Sequence, residues 1–167
     1  MNIGILGTGN VGRTLAAKLV EKGHQVMLGT RDPAEKEKSA PQGQGQSFPE
    51  WRAKNPGAML GTLAQAAQHG AVLVNATSGG GSLEALKAAG EDRLAGKILI
   101  DIANPLDFSR GMPPTLSVCN DDSLGERIQR AFPRARVVKT LNTVTASLMV
   151  DPRRLTQQGH RRSDPTS

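Results

Sequence analysis

Tyrosine is absent from this 167-residue chain, which otherwise has one tryptophan and three phenylalanines as its aromatic residues. A core must therefore be aliphatic, and a tyrosine–lysine proton relay is excluded. Aromatic side chains that could stack on nucleic-acid bases are scarce. The net charge of +6 comes from basic residues spread along the chain, the densest group being Arg130, Arg134, Arg136 and Lys139. We therefore expect no nucleic-acid partner, and a positive field suits a polyanionic cofactor.

Other absences bear on disulfides, metal binding and cellular location. The single cysteine, Cys119, rules out an internal disulfide, and three scattered histidines give no metal-ligand spacing. No apolar run approaches the roughly 18 residues of a membrane span. The N-terminus enters an apolar strand directly, without the pattern of a signal peptide. We expect no metal, no membrane and a cytoplasmic location.

The first 31 residues contain the most informative pattern. An apolar strand at 2–6 runs into a G-x-G-x-x-G loop and then a helical repeat, which is the arrangement that binds a dinucleotide. The first glycine allows the turn, the second lets a pyrophosphate approach, and the third lets helix and strand pack closely. The predicted pyrophosphate site comprises Gly7, Thr8, Gly9, Asn10, Val11 and Gly12. The alternative is a tight glycine turn that binds nothing.

A second alternative is the phosphate loop of nucleotide triphosphatases. Gly7 and Gly12-Arg13-Thr14 nearly match G-x-x-x-x-G-K-[ST], and residues 98–101 resemble the strand that carries a magnesium-binding aspartate. Arg13 stands where the lysine belongs, and a forked guanidinium does not replace a compact ammonium freely. The dinucleotide interpretation is therefore favoured.

Thr30 and Arg31 follow the second predicted strand, 25–28. NAD-binding sites have an acidic residue there for the ribose 2′-hydroxyl, whereas a guanidinium can grip a 2′-phosphate with two hydrogen bonds. The pair predicts NADP(H) as the cofactor. The alternative is that Arg31 is a surface residue at a strand end.

Beyond residue 31, strands and helices alternate. Strands are predicted near 58–60, 71–76, 97–102 and 137–141, and helices near 63–67, 83–89 and 123–132. This predicts an α/β protein with a doubly wound, mostly parallel sheet in three layers, an NAD(P)-binding Rossmann fold over residues 1–150. The remainder, 151–167, is a polar tail without periodicity that we expect to be disordered.

Residues 39–57 interrupt the alternation with Gly, Pro and Gln. Phe48 and Trp51 indicate a short helix within this segment. Trp51 either anchors the segment to the body or covers a ligand's ring.

Ligands of open parallel sheets bind at the carboxyl ends of the strands. Small hydroxyl- or amide-bearing residues follow three later strands and could contact a ribose or a carboxamide. They are Ala76-Thr77-Ser78, Ala103-Asn104-Pro105 and Leu141-Asn142-Thr143. Ordinary turn chemistry is the alternative for each of them.

Four stretches together resemble the NADP reductases that work with the deazaflavin coenzyme F420. They are Gly7–Gly12, Gly29-Thr30-Arg31, Asp101–Leu106 and Val138–Thr143. The wider set includes the N-terminal domains of pyrroline-5-carboxylate reductases. The resemblance implies that Thr8, Gly9, Asn10 and Val11 hold the pyrophosphate and that Thr30 and Arg31 hold the 2′-phosphate. It places Ala76, Ile102, Asn104 and Thr140 near the nicotinamide.

The chain departs from that family in two places. Its 39–57 loop is longer, and family members continue after the stretch that is Leu148–Pro152 here with at least another strand and helix. Here the sequence turns polar instead. We expect that unit to be missing, which would expose a sheet edge and favour self-association, for example as a homodimer.

Hydride transfer needs stacking and distance control more than acid–base groups. None of His24, His69 and His160 follows a predicted strand, and Cys119 is expected to be a loop or core residue. We therefore predict no catalytic side chain. The leading hypothesis is an oxidoreductase that uses NADPH with coenzyme F420 or a flavin. The alternatives are a non-catalytic NADPH-binding module or remnant, and a reductase of a small imine or carbonyl.

Overall fold

A computed structural model of the chain describes residues 1–41 and 46–155. Its strands are β1 (Asn2–Leu6), β2 (Gln25–Thr30), β3 (Ala58–Thr62), β4 (Val72–Asn75), β5 (Ile98–Asp101), β6 (Leu106–Asp107), β7 (Thr115–Leu116) and β8 (Arg136–Lys139). Six of them form one parallel sheet in the order β3-β2-β1-β4-β5-β8, while β6 and β7 pair as a short antiparallel ribbon. The predicted doubly wound parallel sheet is confirmed.

The strand order reverses beside β1, and the carboxyl ends of the strands meet there. Leu6 pairs with Gly29 of β2 on one side and with Asn75 of β4 on the other. Farther along the same edge, Asp101 lies between Asn75 and Lys139. This edge at the switch point is where such sheets bind ligands.

The helices are α1 (Asn10–Glu21), α2 (Pro33–Lys36), α3 (Phe48–Lys54), α4 (Leu63–His69), α5 (Ser82–Ala89), α6 (Glu91–Leu94), α7 (Leu124–Ala131) and α8 (Ala146–Val150). Local sequence sets several of their starts. Ser47 with Glu50 and Thr62 with Gln65 form capping boxes at α3 and α4, each satisfying two otherwise unpaired amides.

Two mainly aliphatic clusters lie on opposite faces of the sheet, because alternate residues of each strand point to opposite sides. Leu6, Leu73 and Leu99 face one cluster, which α4, α5 and α7 cover. Ile3 and Ile5 face the other, which α1 and α3 cover. The predicted three-layer arrangement is confirmed.

The segment at 39–57 contains the expected short helix, α3. Phe48 and Trp51 are both buried in the second cluster, with ring centroids 5.5 Å apart. Trp51 therefore anchors this segment to the body. Residues 42–45 lie outside the described part of the chain.

Several elements differ from the sequence-based expectation. The last sheet strand ends at Lys139, and Leu141, expected in it, has a φ of 57° that breaks the strand. The ribbon β6–β7 and the helix α8 were not predicted, because two-residue strands and a five-residue helix give no periodic signal. Of the tail predicted from residue 151, residues 156–167 lie outside the described part. Within the described residues, no helix has the length and apolarity needed to span a membrane.

We predict that Phe48→Ala lowers the free energy of unfolding by about 3–5 kcal/mol, because it removes a buried ring and leaves a cavity. Phe48 is 2% exposed, and Phe108, which is 56% exposed, provides a matched control. Phe108→Ala should change stability by less than about 0.5 kcal/mol. Urea denaturation followed by circular dichroism measures both. Equal effects of the two substitutions would contradict the assigned core.

Candidate cofactor-binding cleft

A cleft of about 950 Å³ opens at the carboxyl edge of the sheet, beside the switch point. Its volume suits a cofactor-sized ligand. Eight of the residues proposed from the sequence line it, namely Gly7, Thr8, Gly9, Thr30, Arg31, Ala76, Thr77 and Ser78. The structure therefore brings the glycine loop, the end of β2 and the residues after β4 to one cavity.

The three loop glycines differ in what surrounds them. Gly7 has a φ of 123°, and a Cβ there would lie 2.4 Å from the Ala76 carbonyl oxygen. A Cβ on Gly12 would lie 2.4 Å from the Gly7 carbonyl oxygen. Around Gly9 a Cβ would meet nothing within 4 Å, and φ is −72°. The fold therefore requires Gly7 and Gly12, whereas Gly9 leaves open space beside the cleft.

The amino end of α1 begins at this open space. Its cap is Gly9, which makes no side-chain capping bond, and its first turn contains no acidic residue. Asn10, Val11 and Gly12 form that first turn and do not line the cleft with their side chains. First-turn amides have no partner within a helix and attract anions. The backbone of these three residues can therefore receive a pyrophosphate.

Arg13 is directed away from a phosphate-binding role. Its Nη1 donates to the carbonyl oxygens of Gln46 at 2.7 Å and Ser47 at 3.4 Å. This guanidinium therefore fixes the start of α3 against α1. Arg13 therefore does not take the place of the lysine that reaches the phosphates in nucleotide triphosphatases, which argues against that alternative.

Arg31 lies at the mouth of the cleft and is exposed. Its side chain has no hydrogen bond or ion pair within residues 1–41 and 46–155. The neighbouring carboxylate of Asp32 instead caps α2, with Oδ1 accepting from the Glu35 amide at 2.9 Å. Lys36 also lines the cleft, and its Nζ lies 5.6 Å from the centre of the Phe48 ring. A cation with unused hydrogen-bond donors therefore lies at the mouth of the cleft, beside the carboxyl end of β2.

The remaining proposed contacts form a separate group beyond β5 and β8. Ile102 is buried, and the Thr140 amide donates to the Asp101 carbonyl at 3.1 Å. Asn142 Nδ2 donates to Asn104 Oδ1 at 3.1 Å, and Asn104 Nδ2 donates to the Asn142 carbonyl. None of these four lines the cleft. The Gly79 amide, which donates to the Asn104 carbonyl at 3.0 Å, ties their loop to the residues after β4.

Sequence reasoning missed a polar network behind the cleft. The Oδ2 of Asp101 lies 2.9 Å from Lys139 Nζ, and its Oδ1 accepts from Asn75 Nδ2 at 2.8 Å. Asn75 also donates to Ser82 Oγ at 3.1 Å. The available signal was a polar residue at the carboxyl end of each of three strands, namely Asn75, Asp101 and Lys139. Parallel register is what brings these residues together.

Other reactive groups lie outside the cleft lining. Hydrogen bonds from Arg127 and Arg130 lower the pKa of Asp122 to about 2, at the start of α7. Cys119, which was expected in a loop or in the core, is exposed in a loop. No cluster that could hold a metal ion occurs among the residues that the structure describes.

A family model described as "NADP oxidoreductase coenzyme F420-dependent" matches residues 2–105. The crystal structure of a candidate F420-dependent NADP reductase from Arthrobacter sp. FB24 is 56% identical, with a TM-score of 0.87. That match covers 92% of this chain and 68% of the Arthrobacter chain.

The metalloreductase STEAP3 of Rattus norvegicus is 30% identical over 152 residues, which is 90% of this chain and 26% of that protein. The chain thus spans about a quarter of the length of this relative. An imine reductase of Aspergillus terreus is 19% identical with a TM-score of 0.53, covering 83% of this chain and 39% of its own. At that identity the likeness concerns the fold alone.

We predict that Gly9→Ala and Gly12→Ala separate binding from folding. Gly9→Ala should change the free energy of unfolding by less than about 1 kcal/mol, because the added Cβ meets open space. The same substitution should weaken dinucleotide binding about tenfold or more, because the Cβ occupies the space that a pyrophosphate would need. Gly12→Ala should destabilise by about 1–3 kcal/mol through overpacking. Urea denaturation and calorimetric titration with NADPH measure the two properties. Unaltered binding by Gly9→Ala would argue against a pyrophosphate at this loop.

Proposed function

Because the chain belongs to the family of coenzyme F420-dependent NADP oxidoreductases, we propose that it binds NADP(H) in the cleft and transfers a hydride between NADPH and a deazaflavin-type acceptor. The observation that carries this proposal is the position of Arg31. An exposed guanidinium with no partner in the described residues lies beside a glycine loop that leaves room for a pyrophosphate. Residues 1–150 would form the NADP-binding domain.

The proposed roles follow the geometry of the cleft. The amides of residues 8–12 would bind the pyrophosphate, since they stand at the amino end of α1. Thr30 and Arg31 would bind the 2′-phosphate, and a bidentate guanidinium contact makes that recognition specific. Ala76 and Thr77 would face the nicotinamide half on the other side of β1. Ile102, Asn104, Thr140 and Asn142 would shape the acceptor side of the nicotinamide.

No side chain is assigned as a catalytic acid or base. The described residues that line the cleft include no histidine and no cysteine, and the chain has no tyrosine. NADPH supplies the hydride when it is bound, so this chain's residues would act by orienting it and by excluding water. The name of the Arthrobacter relative supports a deazaflavin as acceptor; a flavin is the chemically related alternative.

We predict that Arg31→Ala weakens NADPH binding by about 2–3 kcal/mol, since a charge-assisted contact to the 2′-phosphate is lost. NADH, which has no 2′-phosphate, should bind with nearly unchanged affinity. Arg110→Ala removes the same charge from the exposed loop between β6 and β7 and serves as the control. Calorimetric titration with both dinucleotides measures the difference. Equal losses for NADPH and NADH would mean that Arg31 does not recognise the 2′-phosphate.

We also predict that the purified chain oxidises NADPH with coenzyme F420 faster than with small imines or carbonyls. Loss of absorbance at about 340 nm would follow the reaction, with hydride transfer favoured by a stacked planar acceptor. Reduction of imines or carbonyls alone would assign the third alternative. Tight NADPH binding without turnover on any acceptor would leave a non-catalytic binding module.

A further inference from the structure

A line of hydrogen bonds connects the edge strand β8 to the lining of the cleft. Lys139 Nζ lies 2.9 Å from Asp101 Oδ2, and it also donates to the Ala103 carbonyl. Asp101 Oδ1 accepts from Asn75 Nδ2 at 2.8 Å, and Asn75 Oδ1 accepts from Thr77 Oγ1 at 2.7 Å. Asp101 and Asn75 are both fully buried, so water does not compete for these bonds.

The surroundings of Asp101 fix which way the Asn75 amide points. Asp101 Oδ1 already accepts from the Ala103 amide at 3.2 Å, and Oδ2 faces the Lys139 ammonium. The atom facing Asn75 is thus an acceptor, so Asn75 must present its NH₂ group there. The second hydrogen of that group reaches Ser82 Oγ at 3.1 Å. The carbonyl oxygen of Asn75 is then left to face Thr77.

This orientation in turn fixes the Thr77 hydroxyl. Its only hydrogen is donated to Asn75 Oδ1, and Ser82 Oγ lies 2.8 Å from Thr77 Oγ1. Since Thr77 has no second hydrogen, it can only accept from Ser82. The single hydroxyl hydrogen of Ser82 is shared between Thr77 Oγ1 at 2.8 Å and the Ser78 carbonyl oxygen at 3.3 Å. A hydroxyl oxygen has two lone pairs, so at least one acceptor position on Thr77 stays unused in either case.

We propose that Thr77 presents a hydrogen-bond acceptor to the cleft and selects a donor on the nicotinamide half of the dinucleotide. Thr77 lines the cleft after β4, across β1 from Thr30 and Arg31. The donor is a ribose hydroxyl or the carboxamide NH₂, which share this chemistry. Lys139, Asp101 and Asn75 are positioning residues, because together they fix the direction in which the Thr77 hydroxyl donates its hydrogen. The inference rests on the proposed function, because it needs NADP(H) in this cleft.

Thr77→Val and Thr77→Ser test the contact. The valine keeps the shape and removes the oxygen, so NADPH should bind about fivefold to tenfold more weakly. The serine keeps the hydroxyl and should bind as the wild type does. The fragment 2′,5′-ADP lacks the nicotinamide half, so its affinity should be unchanged in both variants. Calorimetric titration of the full chain measures the affinity of each variant for both ligands, beside the wild type.

Asp101→Asn tests the positioning network. Its new NH₂ group can face Asn75, whose amide then reverses and leaves Thr77 to donate into the cleft. NADPH binding should weaken about as much as in Thr77→Val, with 2′,5′-ADP binding unchanged. If this variant does not fold, the Thr77 pair still decides the contact.

Several results would overturn the inference. Wild-type NADPH affinity in Thr77→Val, equal losses for NADPH and 2′,5′-ADP, or failure of Thr77→Ser to recover binding would each do so. These results would leave the proposed function standing. A wild-type chain that binds neither ligand would overturn the proposed cofactor site and the inference together.

The acetylpyridine analogue of NADP, in which a methyl group replaces the carboxamide NH₂, identifies the donor. If Thr77→Val weakens the analogue as much as NADP, the donor is a ribose hydroxyl. If the variant no longer weakens the analogue, the carboxamide is the donor. Either result supports an acceptor at Thr77.

Discussion

The close approach of α1 to β1 is the constraint on which both the fold and the cleft depend. The helix reaches the strand only because Gly12 lies against the Gly7 carbonyl, and the chain leaves β1 only because Gly7 adopts a positive φ beside Ala76. Gly4 makes the same kind of contact on the opposite face, where a Cβ would lie 2.2 Å from the Ala66 carbonyl oxygen. Tight packing on both sides of β1 thus places an amino-terminal helix end at the switch point of the sheet. A cavity for an anion follows from the packing itself.

Local sequence patterns predicted the elements that depend on local physics. The alternation of strands and helices and the loop from Gly7 to Gly12 were predicted, because apolar runs and glycines act over a few positions. The short ribbon and α8 were missed, since each holds too few residues for a periodic signal. The resemblance to a family added residue roles that no local pattern could supply.

Contacts between distant residues were beyond such reasoning. Asp101 and Lys139 are 38 residues apart, as are Asn104 and Asn142, and only the parallel register makes them neighbours. The sequence placed small polar residues at the ends of strands. It could not show that two asparagines would satisfy each other while Thr77 reached the cleft. Mutual satisfaction of polar groups is decided by the tertiary structure.

The single tryptophan gives this chain a simple optical property. Because tyrosine is absent, near-ultraviolet emission comes almost wholly from Trp51, which is buried against Phe48. The Lys36 ammonium in turn lies over the Phe48 ring, and Lys36 also lines the cleft. A dinucleotide that drew the Lys36 ammonium towards its phosphates would change the environment of this aromatic pair. Intrinsic fluorescence would then respond to events in the cleft without any added label.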